Sequence, residues 1–229
     1  MQLKAILLLI VALSAGAQAQ VPQAQEKPVT NDDQGRAFIV GREAQPLSGS
    51  GNQGKAAISE PEQHSIFLGV SWAKPALRVR EPELANLLAN MQDQAELSAL
   101  DEFGVKNRFG ATSSQERIND LAGNRNISDL EIQTVLAGML KEGSLQPPNA
   151  NTIYVVFLDP GLHSTLGSML AGKHYAAYHN FFNAQGVRLH YVVIPFEQDR
   201  RMARSQAVRA FLAAVLSEST ANGPSGSVH

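Results

Sequence analysis

Several features that would point to a particular chemistry are absent from this sequence of 229 residues. It contains no cysteine, which excludes disulfide bonds, thiolate metal sites and a cysteine nucleophile. Its formal charge is −2, so it has no basic excess to neutralise a phosphate backbone, and we predict no nucleic-acid partner. Any catalysis must therefore use oxygen and imidazole groups.

Long hydrophobic runs are also absent. The apolar run Ala5 to Leu13 is shorter than the roughly 18 to 20 residues that a membrane-spanning helix needs, and no later stretch reaches that length. We therefore predict no membrane span in the mature chain. The sequence also contains no G-x-S-x-G motif of serine hydrolases and no G-K-[ST] string of phosphate loops.

The first residues resemble a targeting signal. Lys4, the apolar run and Ala17-Gln18-Ala19 have the order of a charged start, a hydrophobic stretch and a small-residue cleavage site. We interpret residues 1–19 as a signal peptide and expect a periplasmic or extracellular protein. An uncleaved N-terminal anchor is the alternative.

The remaining chain divides by composition. Residues 20–61 are rich in polar residues, glycine and proline, which predicts disorder, and within them only Ala37 to Val40 is apolar enough to pair with another strand. Residues 62–219 alternate apolar patterns of strand and helix type, and we assign them to one domain. Residues 220–229 are expected to form a disordered tail.

Within the domain, hydrophobic spacing and helix caps predict both strands and helices. Two S-x-x-E capping boxes predict helix starts at Ser113 and Ser128. The predicted strands are His64–Trp72, Thr152–Leu158 and Val187–Ile194, and the other predicted helices are Leu84–Phe103 and Ala203–Leu216. This order favours a single layered α/β domain with a mostly buried sheet, parallel or mixed, flanked by helices.

Three of the histidines lie between Asp159 and Asn180, and histidine is the commonest metal ligand. The five-residue offset between His174 and His179 directs their rings apart in either a helix or a strand. A zinc site built from this pair is therefore less favoured than a structural or surface role for both side chains.

The tripeptide Asp159-Pro160-Gly161 follows a buried strand and has the composition of a turn. It also lies at the carboxyl end of that strand, where α/β proteins often bind ligands. A turn is the favoured interpretation of Asp159. The alternative is a small-molecule crevice beyond Leu158, lined by Asp159, Tyr175 and Tyr178.

Three strings occur in an order that is familiar as a set: NTIYVVFLDPGLHSTLG, GKHYAAYHNFF and GVRLHYVVIPF. Together they resemble the exordium-like, or phosphate-induced, protein family, and more closely its exported bacterial relatives. The resemblance covers about His64 to Ser219. It implies a secreted location and the family's α/β fold, with zincin-like layering as one form of it, and it leaves the molecular activity undefined.

Members of that family typically carry a His-Glu helix motif similar to the metal helix of zinc peptidases. Here Glu218 occupies the glutamate position, whereas Ser217 stands in place of the histidine and Ala221 in place of the second acid. The resemblance thus implies a degenerate metal site. Because the chain lacks the family's next element, we also expect exposed apolar surface on the last predicted helix and a tendency to self-associate.

Three functional hypotheses follow. The favoured one is an exported, non-catalytic, degenerate or shortened relative of the exordium-like family that binds or interacts within the cell envelope. The second is a zinc-dependent hydrolase of peptides or envelope material, in which His174, His179 and Glu218 converge. The third is a small-ligand binding module that uses the crevice beyond Leu158.

Overall fold

The computed structural model describes residues 38–40, 58, 60–87, 91, 98, 100–101, 104–105, 114–118, 121, 123–184 and 186–216. The predicted signal peptide, the predicted C-terminal tail and Glu218 lie outside the described residues, as does most of the predicted disordered segment. Within the described part of the chain, no helix is both long and apolar enough to cross a membrane.

Nine strands are described and form two sheets. They are β1 (Phe38–Val40), β2 (Glu62–Leu68), β3 (Ser114–Ile118), β4 (Arg125–Ser128), β5 (Thr152–Leu158), β6 (Leu162–Leu166), β7 (Met169–Leu170), β8 (Ala177–Ala184) and β9 (Val187–Ile194). The larger sheet has the order β1-β8-β9-β5-β2-β3, and the smaller one has the order β4-β6-β7.

Both sheets are mixed. In the larger sheet β3, β2, β5 and β9 are parallel neighbours, whereas β8 runs antiparallel to both β9 and β1. In the smaller sheet β4 and β6 are parallel and β7 is antiparallel to β6. The predicted α/β class, with a largely buried sheet and flanking helices, is confirmed.

Four α-helices are described with their bounds: α1 (Pro75–Arg78), α2 (Glu81–Leu84), α3 (Asp129–Glu142) and α4 (Arg200–Leu216). A short 3-10 helix, Val70–Ala73, precedes α1. The predicted capping box at the start of α3 is confirmed, because the Ser128 hydroxyl accepts the Glu131 backbone N–H and the Glu131 carboxylate accepts the Ser128 N–H. Gly143 ends α3 in a left-handed conformation, with φ 73°.

The large sheet separates two hydrophobic clusters. Alternate residues of its strands face opposite sides, and all seven residues of β5 are buried because both faces are covered. One face packs against α4 through Val208, Phe211, Leu212 and Val215. The other packs against α3 through Ile132, Leu136 and Met139, together with Ile127 and Leu162 of the small sheet.

The burial of the α4 side chains contradicts the apolar exposure expected for the last helix. Val208, Phe211, Leu212 and Val215 are each at most 1% exposed. Exposed apolar surface on this helix therefore no longer supports self-association, which stays a prediction.

Two predicted helices are wrong. The helix predicted to start at Ser113 is not formed, because Ser114–Ile118 is strand β3, whose backbone pairs in parallel with β2, Ile66 lying opposite Glu116. The helix predicted over Leu84–Phe103 is not continuous, because α2 ends at Leu84 and residues 85–87 form a turn, although residues 98, 100 and 101 are helical.

The physical reason for the second error lies in β2. The Gln63 amide donates to the Leu84 carbonyl and accepts the Leu87 N–H, and the Ser65 hydroxyl donates to the Ala85 carbonyl. These side chains satisfy backbone groups that a continuing helix would have paired internally.

The first predicted strand is correct in position but too long at its C-terminal end. The strand ends at Leu68, and Trp72 lies in the 3-10 helix that follows. The indole N–H of Trp72 donates to the carbonyl of Phe157, at 3.1 Å. The chain therefore leaves the sheet at Leu68 and folds back over the end of β5.

Candidate functional site

The carboxyl ends of the parallel strands β2, β5 and β9 meet at one edge of the large sheet. Three loops leave this edge, at residues 69–74, 159–161 and 195–199. In open α/β sheets ligands bind beyond the carboxyl ends of the strands. The contacts that hold these loops and the space between them therefore define the candidate site.

The first two loops are joined by Asp159, whose side chain is buried. One carboxylate oxygen accepts the backbone N–H of Ser71 at 2.7 Å, and the other accepts the N–H of Gly161 at 2.8 Å. Gly69 packs directly against this carboxylate with φ 117°, and a Cβ at Gly69 would lie 2.4 Å from the Asp159 Cγ. Asp159 therefore fixes the turn that the sequence predicted and ties it to the loop after β2.

A cleft of about 230 Å³ opens beside this turn. Its walls come from the loops after β5 and β9, from β6, from the segment before β8 and from α4. The lining residues are Pro160, Leu162, His163, Ala171, Gly172, Ala176, Pro195, Phe196, Glu197 and Gln206. The lining thus combines apolar side chains with polar groups, among them His163, Glu197 and Gln206.

Gln206 is the most unusual of the polar residues in the lining. It lies on α4 and is only 8% exposed. Its side-chain amide belongs to the cleft wall. An amide in such a position offers a bound molecule both a hydrogen-bond donor and an acceptor.

The wall formed by Phe196 and Glu197 is held from behind by Arg80. This side chain is 7% exposed, donates to the Glu197 carbonyl at 2.8 Å and lies 5.0 Å from the centroid of the Phe196 ring. Burial, followed by repulsion from Arg200, lowers the pKa of Arg80. Trp72 contacts the same ring edge-on at 6.4 Å. The Phe196 ring therefore separates the cleft from the interior.

The structure places Tyr175 and Tyr178 in the core below the small sheet. Both are fully buried, and their rings meet edge-on at 5.7 Å. The Tyr175 hydroxyl donates to Ser164, and the Tyr178 hydroxyl donates to Asp129. Asp159, Tyr175 and Tyr178, the residues predicted to bind a ligand, are not among those that line this cleft. Their binding role stays a prediction.

Asp129, the first residue of α3, collects four hydrogen bonds from the sheet and its own helix. Tyr178 and Tyr191 donate to one carboxylate oxygen at 2.8 and 2.7 Å, and Asn180 and Gln133 donate to the other. Burial, and then the negative charge of Asp129, raises the pKa of both tyrosines well above its usual value. These hydroxyls thus stay protonated and hold α3 on the sheet.

The predicted metal ligands lie in different surroundings. His174 is exposed in a turn, and its Nδ1 accepts the backbone N–H of Leu170. His179 is buried in β8, on the face opposite Tyr178. Among the described residues, no three His, Asp or Glu side chains are grouped as metal ligands. Glu218 lies outside these residues, so the zinc hypothesis stays a prediction.

Sequence reasoning missed the lining residues Phe196, Glu197 and Gln206. Applying the strand-end rule to β9 as well as β5 would have drawn attention to residues 195–197. Gln206 ends the polar run Arg204-Ser205-Gln206 on α4, and nothing in that run distinguishes it as a cleft residue.

Comparison with known proteins adds no assignment to this geometry. No family model, no curated protein and no solved structure matches the chain. The resemblance to the exordium-like family accordingly stays a prediction, and the function has to be inferred from the cleft.

Proposed function

We propose that this protein is an exported, non-catalytic binding protein that takes up a small molecule in the cleft. The observation that carries the proposal is the cleft of about 230 Å³ at the carboxyl ends of the strands, with the largely buried Gln206 in its wall. A ligand in the cleft can pair with the donor and the acceptor of the Gln206 amide.

The size of the cleft limits the ligand. Its volume corresponds to that of about eight water molecules in the liquid, which is slightly below the usual range of drug-sized sites. The occupant is therefore a small metabolite or a terminal group of a larger molecule. The apolar side chains Leu162, Ala171 and Phe196 would contact its apolar part.

The walls are held in place by contacts within the protein. Asp159 fixes the turn that carries Pro160, and Arg80 fixes the segment of Phe196 and Glu197. A site that is already ordered loses little conformational entropy on binding. This supports a recognition role for the edge of the sheet.

Export is supported by the signal-like pattern of residues 1–19. A non-catalytic role is supported by the cysteine-free composition and by the environment of Asp159, whose two oxygens are both engaged by backbone N–H groups. An envelope component of low molecular weight, or the end of such a polymer, is the ligand that best fits this location.

The test is a fragment screen against the protein, observed by NMR and by the fluorescence of Trp72. Trp72 is the single tryptophan and contacts the Phe196 wall, so binding in the cleft should change its emission. We expect Ala171→Leu, which places extra volume at the cleft wall, to abolish binding. Ala76→Leu is the matched control because Ala76 is exposed in α1, outside the lining.

Binding to the wild type and to Ala76→Leu, with loss in Ala171→Leu, is the expected result. Absence of any fragment binding to the folded wild type would overturn the proposal. Equal binding to both variants would do the same, because it would place the ligand elsewhere.

A further inference from the structure

Resting on the proposed function, the chemistry of the cleft also specifies the class of ligand. A glutamine side chain presents an N–H donor and a C=O acceptor next to each other. The group that satisfies both at once carries its own C=O and N–H on one edge, as a carboxamide or a peptide group does. We propose that the cleft binds a small uncharged molecule through its amide group, which pairs with the amide of Gln206.

The burial of Gln206 gives this pairing its selectivity. Gln206 is 8% exposed, so a ligand that fills the cleft would shield its amide from water. A ligand that lacks the N–H leaves the Gln206 oxygen without a donor, and a site built to hydrogen-bond a ligand rejects analogues that lack the complementary group. An ester of the same shape should therefore bind much more weakly than the amide.

The charges around the cleft favour a neutral ligand. The ionisable residues of the lining are His163 and Glu197. One Glu197 oxygen accepts the Asp199 N–H, and Arg80 contacts the same segment from behind the Phe196 ring. The negative charge of Glu197 and the positive charge of Arg80 lie at one wall and oppose each other. Neither anions nor cations gain a net attraction there.

His163 does not change this balance. The imidazole Nε2 of His163 is hydrogen-bonded to the side-chain oxygen of Asn124, which lies before β4. Because the Asn124 oxygen is an acceptor, the Nε2 of His163 acts as the donor in this pair. His163 therefore adds a polar side chain to the lining.

The rest of the lining sets the shape of the ligand beside its amide. The apolar part of the lining consists of Leu162, Ala171, Ala176, Pro160 and Pro195, with Phe196 beside them. These residues offer contact to a compact apolar group and no further hydrogen bonds from their side chains. A single amide with a short branched or cyclic hydrocarbon substituent fits this division into a polar and an apolar part.

The test compares two probes of nearly identical shape, N-cyclohexylacetamide and cyclohexyl acetate, by NMR titration. For the wild type we expect the Kd of the amide to be about tenfold lower than that of the ester, because the amide makes one more hydrogen bond and leaves no group unpaired. In Gln206→Leu the two Kd values should become equal. Gln198→Leu is the matched control, since Gln198 is exposed and outside the lining.

A second variant, Gln206→Met, keeps the test decisive if Gln206→Leu does not fold, and it should also bind both probes equally. Equal Kd values for amide and ester in the wild type would overturn the inference. So would an amide preference that survives in both Gln206 variants. In either case the fragment screen would still decide the proposed function, because that screen depends on Ala171→Leu and on no amide.

Discussion

The contact between Gly69 and Asp159 makes a quantitative prediction about the edge of the sheet. Gly69 has φ 117° and ψ 151°, a conformation that is essentially restricted to glycine and costs another residue about 1 to 3 kcal/mol. In Gly69→Ala the new methyl would also lie 2.4 Å from the Cγ and 2.5 Å from the Oδ2 of Asp159. Displacing a packed group in this way costs about 1 to 3 kcal/mol more.

We therefore expect Gly69→Ala to lower the free energy of unfolding by about 3 to 5 kcal/mol. Asp159→Ala should cost about 2 to 4 kcal/mol, because the backbone N–H groups of Ser71 and Gly161 lose a charged acceptor. It also removes the two nearest atoms with which the new methyl would collide, Cγ and Oδ2, and leaves the Cβ of residue 159 at 2.9 Å. The loss of unfolding free energy in the double variant should therefore be about 1 to 2 kcal/mol smaller than the sum of the losses in the two single variants.

The assay is urea unfolding of the wild type, both single variants and the double variant, followed by Trp72 fluorescence and circular dichroism. Gly167→Ala is the control for backbone strain alone, since Gly167 has φ 60° with no atom within 4 Å of the added Cβ, and it should cost about 1 to 2 kcal/mol. If the loss of unfolding free energy in the double variant equals the sum of the two single losses within about 0.3 kcal/mol, the proposed collision between residue 69 and Asp159 is refuted.

Three further predictions concern α3 and the core. Hydrogen bonds from the Ser128 backbone and from Arg125 lower the pKa of Glu131 from 4.5 to about 2; its stabilising effect is therefore present above pH 4.5 and lost as the pH falls towards 2. Glu131 is exposed, so we expect the free energy of unfolding of the wild type, measured in urea at pH 6, to be only about 0.5 kcal/mol higher than that of Glu131→Gln. The same difference between the two proteins at pH 2.5 would contradict this. Tyr191→Phe removes a hydrogen bond to Asp129 and should lower the free energy of unfolding by about 1 to 3 kcal/mol, whereas a thermal melt identical to wild type would show that this hydrogen bond does not stabilise the fold. Trp72, 1% exposed, should emit at short wavelength and resist quenching by acrylamide, and strong quenching of the native protein would place it at the surface.

The sequence predicts those elements whose stability is local or whose burial is complete. Thr152–Leu158 is an uninterrupted apolar run, and both the strand and its burial on two faces are confirmed. The capping box at Ser128 is confirmed because its two hydrogen bonds lie within four residues. The same motif at Ser113 fails because the pairing of β3 with β2, distant in the chain, determines the backbone there.

Strand β8 shows a further limit of local reasoning. Its sequence, AYHNFFNA, combines aromatic and amide side chains without a simple apolar alternation. Its inward-facing polar groups are acceptable only because Tyr178 and Asn180 meet Asp129 of α3. No pattern within the strand reveals that partner.

The candidate site divides in the same way. Its position beyond Leu158 follows from turn chemistry and the strand-end rule, both of which can be read from a few consecutive residues. Its lining depends on the approach of α4, β6 and the loop after β9, and this is set by packing across the whole sheet. Gln206 could not be recognised as a cleft residue before that packing was known.

Strand β5 has a consequence for the chain before it folds. In the native sheet all seven residues from Thr152 to Leu158 are buried and both edges of the strand are paired, by β2 and β9. The same segment is uncharged, lacks proline and glycine and is rich in β-branched and aromatic residues, which is the composition of segments that associate into intermolecular sheets. Until β2 and β9 cover its edges, TIYVVFL is the part of the chain most prone to aggregation, and dilute, rapid refolding should recover more protein than concentrated, slow refolding.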